Sequence, residues 1–259
     1  MTVGVVGAVA AVLLVIVVVK ALDRTPVASG PPCQATVSGE TFTLELDQAA
    51  NATTIAAVGK RDGLPDHAVT IALATAMQES GLRNLPYGDR DSLGLFQQRP
   101  SQGWGTAAQV STPTYAAAAF YQKLEAVPGW QTLDVTEAAQ KVQRSAAPEA
   151  YARWEAQSRV LAQALTGEVP GAFSCRVSLP KASVPSAQLA QAMSAEIGPA
   201  ADADTPTPAQ GWTTATWLVG HADEHHVSTV TFGGRRWTAR SGAWAPVAGA
   251  PADGPVVIT

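Results

Sequence analysis

Glu79 closes an apolar run, ALATAMQES (residues 72–80), and opens onto a polar, glycine-rich stretch, GLRNLPYGDRDSLGLFQQRPSQGWG (residues 81–105). A carboxyl group at the end of a buried helix loses hydration. That loss disfavours its charged form and raises its pKa toward the range in which it can donate a proton. The competing reading is a carboxylate in solvent at an ordinary helix end. Ten residues on, Asp89 offers a second carboxylate, although Gly-Asp-Arg-Asp-Ser is also common turn material; Asp91 is the weaker of the two candidates. Gly94 would let backbone approach a ligand closely, and Gln97 could present an amide to hydroxyl or N-acetyl groups, with Gln98 read as structural. Tyr87, Phe96 and Trp104 supply aromatic faces, open to sugar contact or to core packing.

Taken together, Glu79-Ser80 and, fourteen positions after the serine, Gly94-Leu95-Phe96-Gln97 resemble the signature of the soluble lytic transglycosylase and goose-type lysozyme superfamily. Gly88-Asp89-Arg90 is similar to the aspartate element of the goose-type branch, and the resemblance covers about residues 45–166. It implies a lysozyme-like helical fold with a cleft for peptidoglycan strands, and cleavage of the β-1,4 bond between N-acetylmuramic acid and N-acetylglucosamine. It also implies roles, Glu79 as general acid and Asp89 as the second catalytic carboxylate; together with the aromatic reading of Tyr87, the expected substrate-binding residues are Ser80, Tyr87, Gly94, Gln97 and Tyr151. Tyr151 corresponds to a tyrosine that the family brings close to the acid on a later helix. Around Tyr151 the chain differs from the family's Ala-Tyr-Asn motif, and Arg99 stands where the goose-type pattern has an aspartate.

The chemistry such a site must do is specific. Breaking a glycosidic bond requires a proton on a poor leaving oxygen while oxocarbenium-like charge develops on the sugar carbon. Water activated by a second carboxylate then gives hydrolysis, whereas attack by the muramoyl 6-hydroxyl gives an anhydro sugar. A catalytically degenerate module that binds cell-wall glycan or a surface partner is the alternative.

The elements that must position these residues follow from periodicity and punctuation. TFTLEL (residues 41–46) alternates as a short strand does, and helices are expected over about residues 47–60, 66–80 with Asp66 as N-cap, 113–126, 134–146 and 148–166. The expected fold class is mainly α: a lysozyme-like helical domain after a single N-terminal transmembrane helix, plus a small α/β C-terminal domain. The expected boundaries are an anchor at residues 1–22, a linker at 23–40, the lysozyme-like domain at 41–176, a helix and a Pro/Ala-rich linker at 177–210, and an accessory domain at 211–259. Within the last, a helix precedes two extended runs joined by Gly233-Gly234, a hairpin signal, and PVVIT could add a strand. Trp212, Trp217, Trp237 and Trp244 there read as core, with a wall-binding surface as the second reading.

Residues 3–19 carry no charge and reach the lower limit for spanning a bilayer, so they read as a membrane anchor rather than a cleaved signal peptide. The membrane is therefore an expected partner, and the main domains are expected outside the cytoplasm. The only two cysteines, Cys33 and Cys175, have no CxxC spacing; they read as one long-range disulfide formed in an oxidising compartment, with two buried thiols as the alternative.

The 259 residues are 46% apolar and 15% charged, with a net charge of −4, enough apolar content for a sizeable core and no basic footprint for nucleic acid. No cofactor and no metal site are expected. His221 and His225 stand four apart without an HExxH pattern and read as a solvated helix face, and His67 as polar surface. Phosphate-loop, dinucleotide-binding and nucleophile-elbow motifs are lacking, and the oligomeric state is left open.

Overall fold

Helix α1 (Leu46–Arg61) begins where Glu45 and Gln48 form a capping box, with the Glu45 N–H donating to Gln48 Oε1 at 2.9 Å. Asp47 in its first turn and Lys60 and Arg61 in its last complement the helix dipole. In the computed structural model, which describes residues 31–145, 147–180, 183–248 and 253–259, α1 lies against α2 (Asp66–Ser80). Pro65, not Asp66, is the N-cap of α2; Asp66 occupies the first turn and pairs with Lys60 at 2.8 Å. Ten consecutive residues of α2, 68–77, are buried, as its apolar composition on nearly every face requires. Gly81 then ends the helix in the left-handed conformation, φ +63°. Residues 78–80 are the first to emerge from the core, and Glu79 is among them.

Helices α3 (Pro113–Glu125), α4 (Val135–Gln143) and α5 (Glu155–Leu165) pack around α2, with a 3₁₀ segment, Pro148–Trp154, leading into α5. Strands β1 (Cys33–Val37), β2 (Glu40–Leu44) and β3 (Phe173–Cys175) form an antiparallel sheet in the order β2-β1-β3. Cys33 and Cys175 are register partners in it and form a disulfide. A crosslink 142 residues apart removes chain entropy from the unfolded state equivalent to at most about 4–5 kcal/mol.

After α6 (Leu189–Glu196) and a 3₁₀ turn at Gly198–Asp202, helix α7 (Pro208–Gly220) starts with a Thr207–Gln210 capping box and packs along α1. A second antiparallel sheet follows, ordered β6-β5-β4-β7 from β4 (Thr229–Phe232), β5 (Arg235–Thr238), β6 (Ala243–Pro246) and β7 (Val257–Ile258). Gly233 and Gly234 turn β4 into β5 with φ of +58° and +69°, the handedness that a two-residue hairpin requires.

The expected fold class is corrected here. Two small antiparallel sheets share the molecule with the helices, so it is not a mainly α domain followed by a separate α/β unit; residues 31–259 form one compact unit around one continuous core. The tryptophans give the physical reason. Trp212, Trp217 and Trp237 are buried in the common core, and the helix that carries Trp212 and Trp217 packs along α1, so the C-terminal segment spends its aromatic area on that core instead of on a surface of its own. The Trp237 and Trp244 indole N–H groups donate to the carbonyls of Cys175 and Phe173, each at 2.9 Å, joining the second sheet to the first. The stretch read as a linker up to residue 40 likewise supplies β1. Among the described residues no helix is long and apolar enough to cross a membrane, and the span expected at residues 3–19 lies outside the described residues.

Candidate active site

Because α2 leaves the core only at its last turn, the Glu79 carboxyl is half-buried and opens onto a cleft of about 830 Å³. Two protein groups meet it. The Tyr151 hydroxyl, on the 3₁₀ segment and fully buried, donates to Glu79 Oε1 at 2.6 Å. Gln143, the last residue of α4, is its second hydrogen-bond partner and also donates to the Phe96 carbonyl at 2.8 Å. Loss of hydration raises the Glu79 pKa above its ordinary 4.5, outweighing these two hydrogen bonds, which lower it. Burial, and then the facing Glu79 charge, push the Tyr151 phenol far above its ordinary range, so it remains a donor throughout the working pH range.

The loop after α2 is held by its own polar groups. Ser80 Oγ donates to the Leu95 carbonyl at 2.7 Å and accepts from the Arg83 N–H at 3.2 Å, tying the loop to the helix end. Gln97, at φ +47°, lines the cleft while its amide nitrogen donates to the carbonyls of Tyr87 and Gly94, both at 3.2 Å. Gly94 is buried at φ +77°, and a Cβ there would come within 2.2 Å of the Val110 carbonyl oxygen. Glycine at this position is therefore required by backbone packing. Asp91 accepts from the Ser101 N–H and from Arg99 Nε, both at 2.8 Å, and these bonds hold it well below the usual carboxylate range.

Of the residues singled out by sequence, Glu79, Asp89 and Gln97 line one cleft, and Tyr151 stands directly behind Glu79. Ser80 and Gly94 are committed to the loop's own structure, and Tyr87, 68% exposed, lies outside the cleft lining. Asp89 lies on the rim with its side chain 91% exposed, 3.9 Å from Arg90. Trp104 lines the cleft, with Lys123 Nζ 4.5 Å from its ring centre, whereas Phe96 is buried against Phe120. Gln143, Arg144 and Ser145, which also line the cleft, were missed by sequence reasoning. Their only signal is that they end a helix a few residues before Tyr151.

The histidines are corrected as well. His221 and His225 are buried, not solvated, and stack with Trp217. His67 is half-buried over Trp130, its Nε2 3.1 Å from the Leu133 carbonyl. No cluster of three or more metal-ligating side chains occurs among the described residues.

Comparison with protein-family models finds no match, and comparison with curated protein sequences finds no significant relative.

Proposed function

We propose that this protein cleaves the β-1,4 bond between N-acetylmuramic acid and N-acetylglucosamine in peptidoglycan strands, with Glu79 as the general acid. The observation that carries the reading is the Tyr151–Glu79 pair at 2.6 Å, which aims a carboxyl of raised pKa into an open cleft. Such a carboxyl holds its proton to higher pH than an exposed one and can deliver it to the glycosidic oxygen as the bond lengthens. Tyr151 acts through Glu79 as a positioning residue. The disulfide is in keeping with a location outside the cytoplasm, where peptidoglycan lies.

Asp89 bears on the fate of the oxocarbenium-like centre. An exposed side chain with only a loose arginine contact is not held to activate a water, so the site favours attack by the substrate's own 6-hydroxyl and an anhydro-sugar product.

The test is mass spectrometry of soluble fragments released from purified peptidoglycan by the protein and by its Glu79→Gln variant. Anhydro-ended fragments that disappear in the variant are the expected result. Reducing-end fragments would transfer the role of water activation to Asp89. Strands bound without release by the wild type would leave a glycan-binding module, the second reading of the sequence.

A further inference from the structure

The chain carries a net charge of −4, yet five of its 17 basic residues line the one cleft that holds Glu79. Among the described residues, the carboxylates that line the cleft with them are Glu79 and Asp89. Three of the five cations are engaged with acids: Arg99 with Asp91 at 2.8 Å, Lys141 with Glu137 at 3.3 Å, and Arg90 loosely with Asp89 at 3.9 Å. Lys123 and Arg144 differ. Among the described residues neither comes within ion-pair distance of a carboxylate. Lys123 lies over the Trp104 ring on the cleft wall.

Arg144 adds a conformational observation. It directly follows Gln143, a partner of Glu79, and closes α4 as its left-handed C-cap, φ +54°, its N–H donating to the Gln140 carbonyl at 2.8 Å. Arg144 is exposed and lines the cleft onto which Glu79 opens. A neutral polysaccharide gains no ion pair from two unpaired cations on the wall of the cleft. A strand bearing carboxylates does, because each cation supplies a charge-assisted contact, strongest for a guanidinium that can meet a carboxylate through two N–H donors.

Resting on the glycan-cleaving reading above, we propose that the cleft selects strands by the carboxylates they carry, with Lys123 and Arg144 as the specificity-determining residues. Two sources provide this chemistry in peptidoglycan: the stem peptide, and the lactyl group of the muramoyl sugar once the peptide is removed.

The experiment measures binding of soluble strands to the uncleaving Glu79→Gln protein in three forms. These are peptide-bearing strands, the same strands with carboxyls converted to methylamides, and strands stripped of peptide by an amidase. Methylamidation removes charge with little change in size. Affinity for the peptide-bearing strands is expected to exceed that for the methylamidated ones roughly three- to tenfold, the scale of two solvent-exposed charge contacts, and to fall with salt. Adding Lys123→Gln and Arg144→Gln together should bring the ratio toward one at an unchanged melting midpoint, and Arg144→Lys should restore part of it. Stripped strands that bind as well as peptide-bearing ones would assign the lactyl carboxylate; stripped strands as weak as the methylamidated ones would assign the stem peptide. Equal affinity for charged and methylamidated strands, or a ratio unmoved by the double substitution, would overturn the proposal while leaving the glycosidase reading intact. Failure of that reading would instead show as no fragment released by the wild type, whatever the affinities of the strands.

Discussion

Two of the glutamates at helix ends in this molecule, Glu79 and Glu196, have opposite surroundings. Glu196, the last residue of α6, has a side chain only 13% exposed and accepts three hydrogen bonds. Thr54 and Thr114 hydroxyls donate to it at 2.7 Å each, and the Trp217 indole at 2.6 Å. These donors come from α1, α3 and α7, so the carboxylate ties three helices together. His221, whose pKa burial pushes down, stands 3.9 Å away. Glu79 has Tyr151 and Gln143 and otherwise faces an open cleft. Burial removes hydration from both; the number of donors decides what each can do. Where three protein donors replace water, the carboxylate becomes structural. Where donors are few and one side is open, desolvation dominates and the group is left able to exchange a proton with a substrate.

Exchanging the two roles should fail in opposite directions. Glu79→Gln is expected to lower fragment release by about 10²–10⁴-fold, the usual contribution of a general acid, with the fold intact by circular dichroism. Glu196→Ala should do the reverse: a loss of about 3 kcal/mol in urea unfolding, because it strands donors on three helices, with release retained by the folded fraction. Removing one donor from the structural carboxylate sharpens the contrast. Trp217→Phe should cost about 2 kcal/mol through the lost hydrogen bond and reduced packing, with no change in the pH dependence of release.

The smallest expected effect is on stability against pH. The folded protein binds the Glu79 proton more tightly than the unfolded chain does. The associated stability is therefore fully present below the ordinary carboxyl value of 4.5 and is lost as pH rises through the higher folded value. Glu79→Gln has no charge to desolvate. It should melt a few degrees above the wild type at neutral pH, and scanning calorimetry should show the gap closing below about pH 4.5.

This contrast also marks how far the sequence could be read. The position of Glu79 at the end of a buried helix was legible because a long apolar run leads straight to it and a polar loop follows, a local pattern that survives folding. The Cys33–Cys175 bond was legible because two cysteines leave one pairing, and the Gly233-Gly234 hairpin because its turn chemistry is local. Glu196 was not legible: it lies 142 residues from Thr54 and 82 from Thr114, and nothing near it in the chain announces partners at such distances. The same reason hid the fusion of the C-terminal segment with the helices. A Pro- and Ala-rich stretch looks the same in sequence whether it separates two domains or passes between elements of one. Gly94 was picked out for close approach of backbone to a sugar; the neighbour that demands glycine in the fold is the Val110 carbonyl oxygen, which no local pattern announces.

The central claim is that Glu79 is a proton donor whose ionisation Tyr151 tunes. The pH dependence of fragment release, measured side by side for the wild type and Tyr151→Phe, tests it most directly. Tyr151 lowers the Glu79 pKa by donating to its carboxylate, so its loss should move the high-pH limb of activity to higher pH. The maximal rate should also drop about tenfold or more as the carboxyl loses its anchor. A limb that stays in place in Tyr151→Phe, or a wild-type rate that does not fall as pH rises through the ionisation of Glu79, would contradict the account.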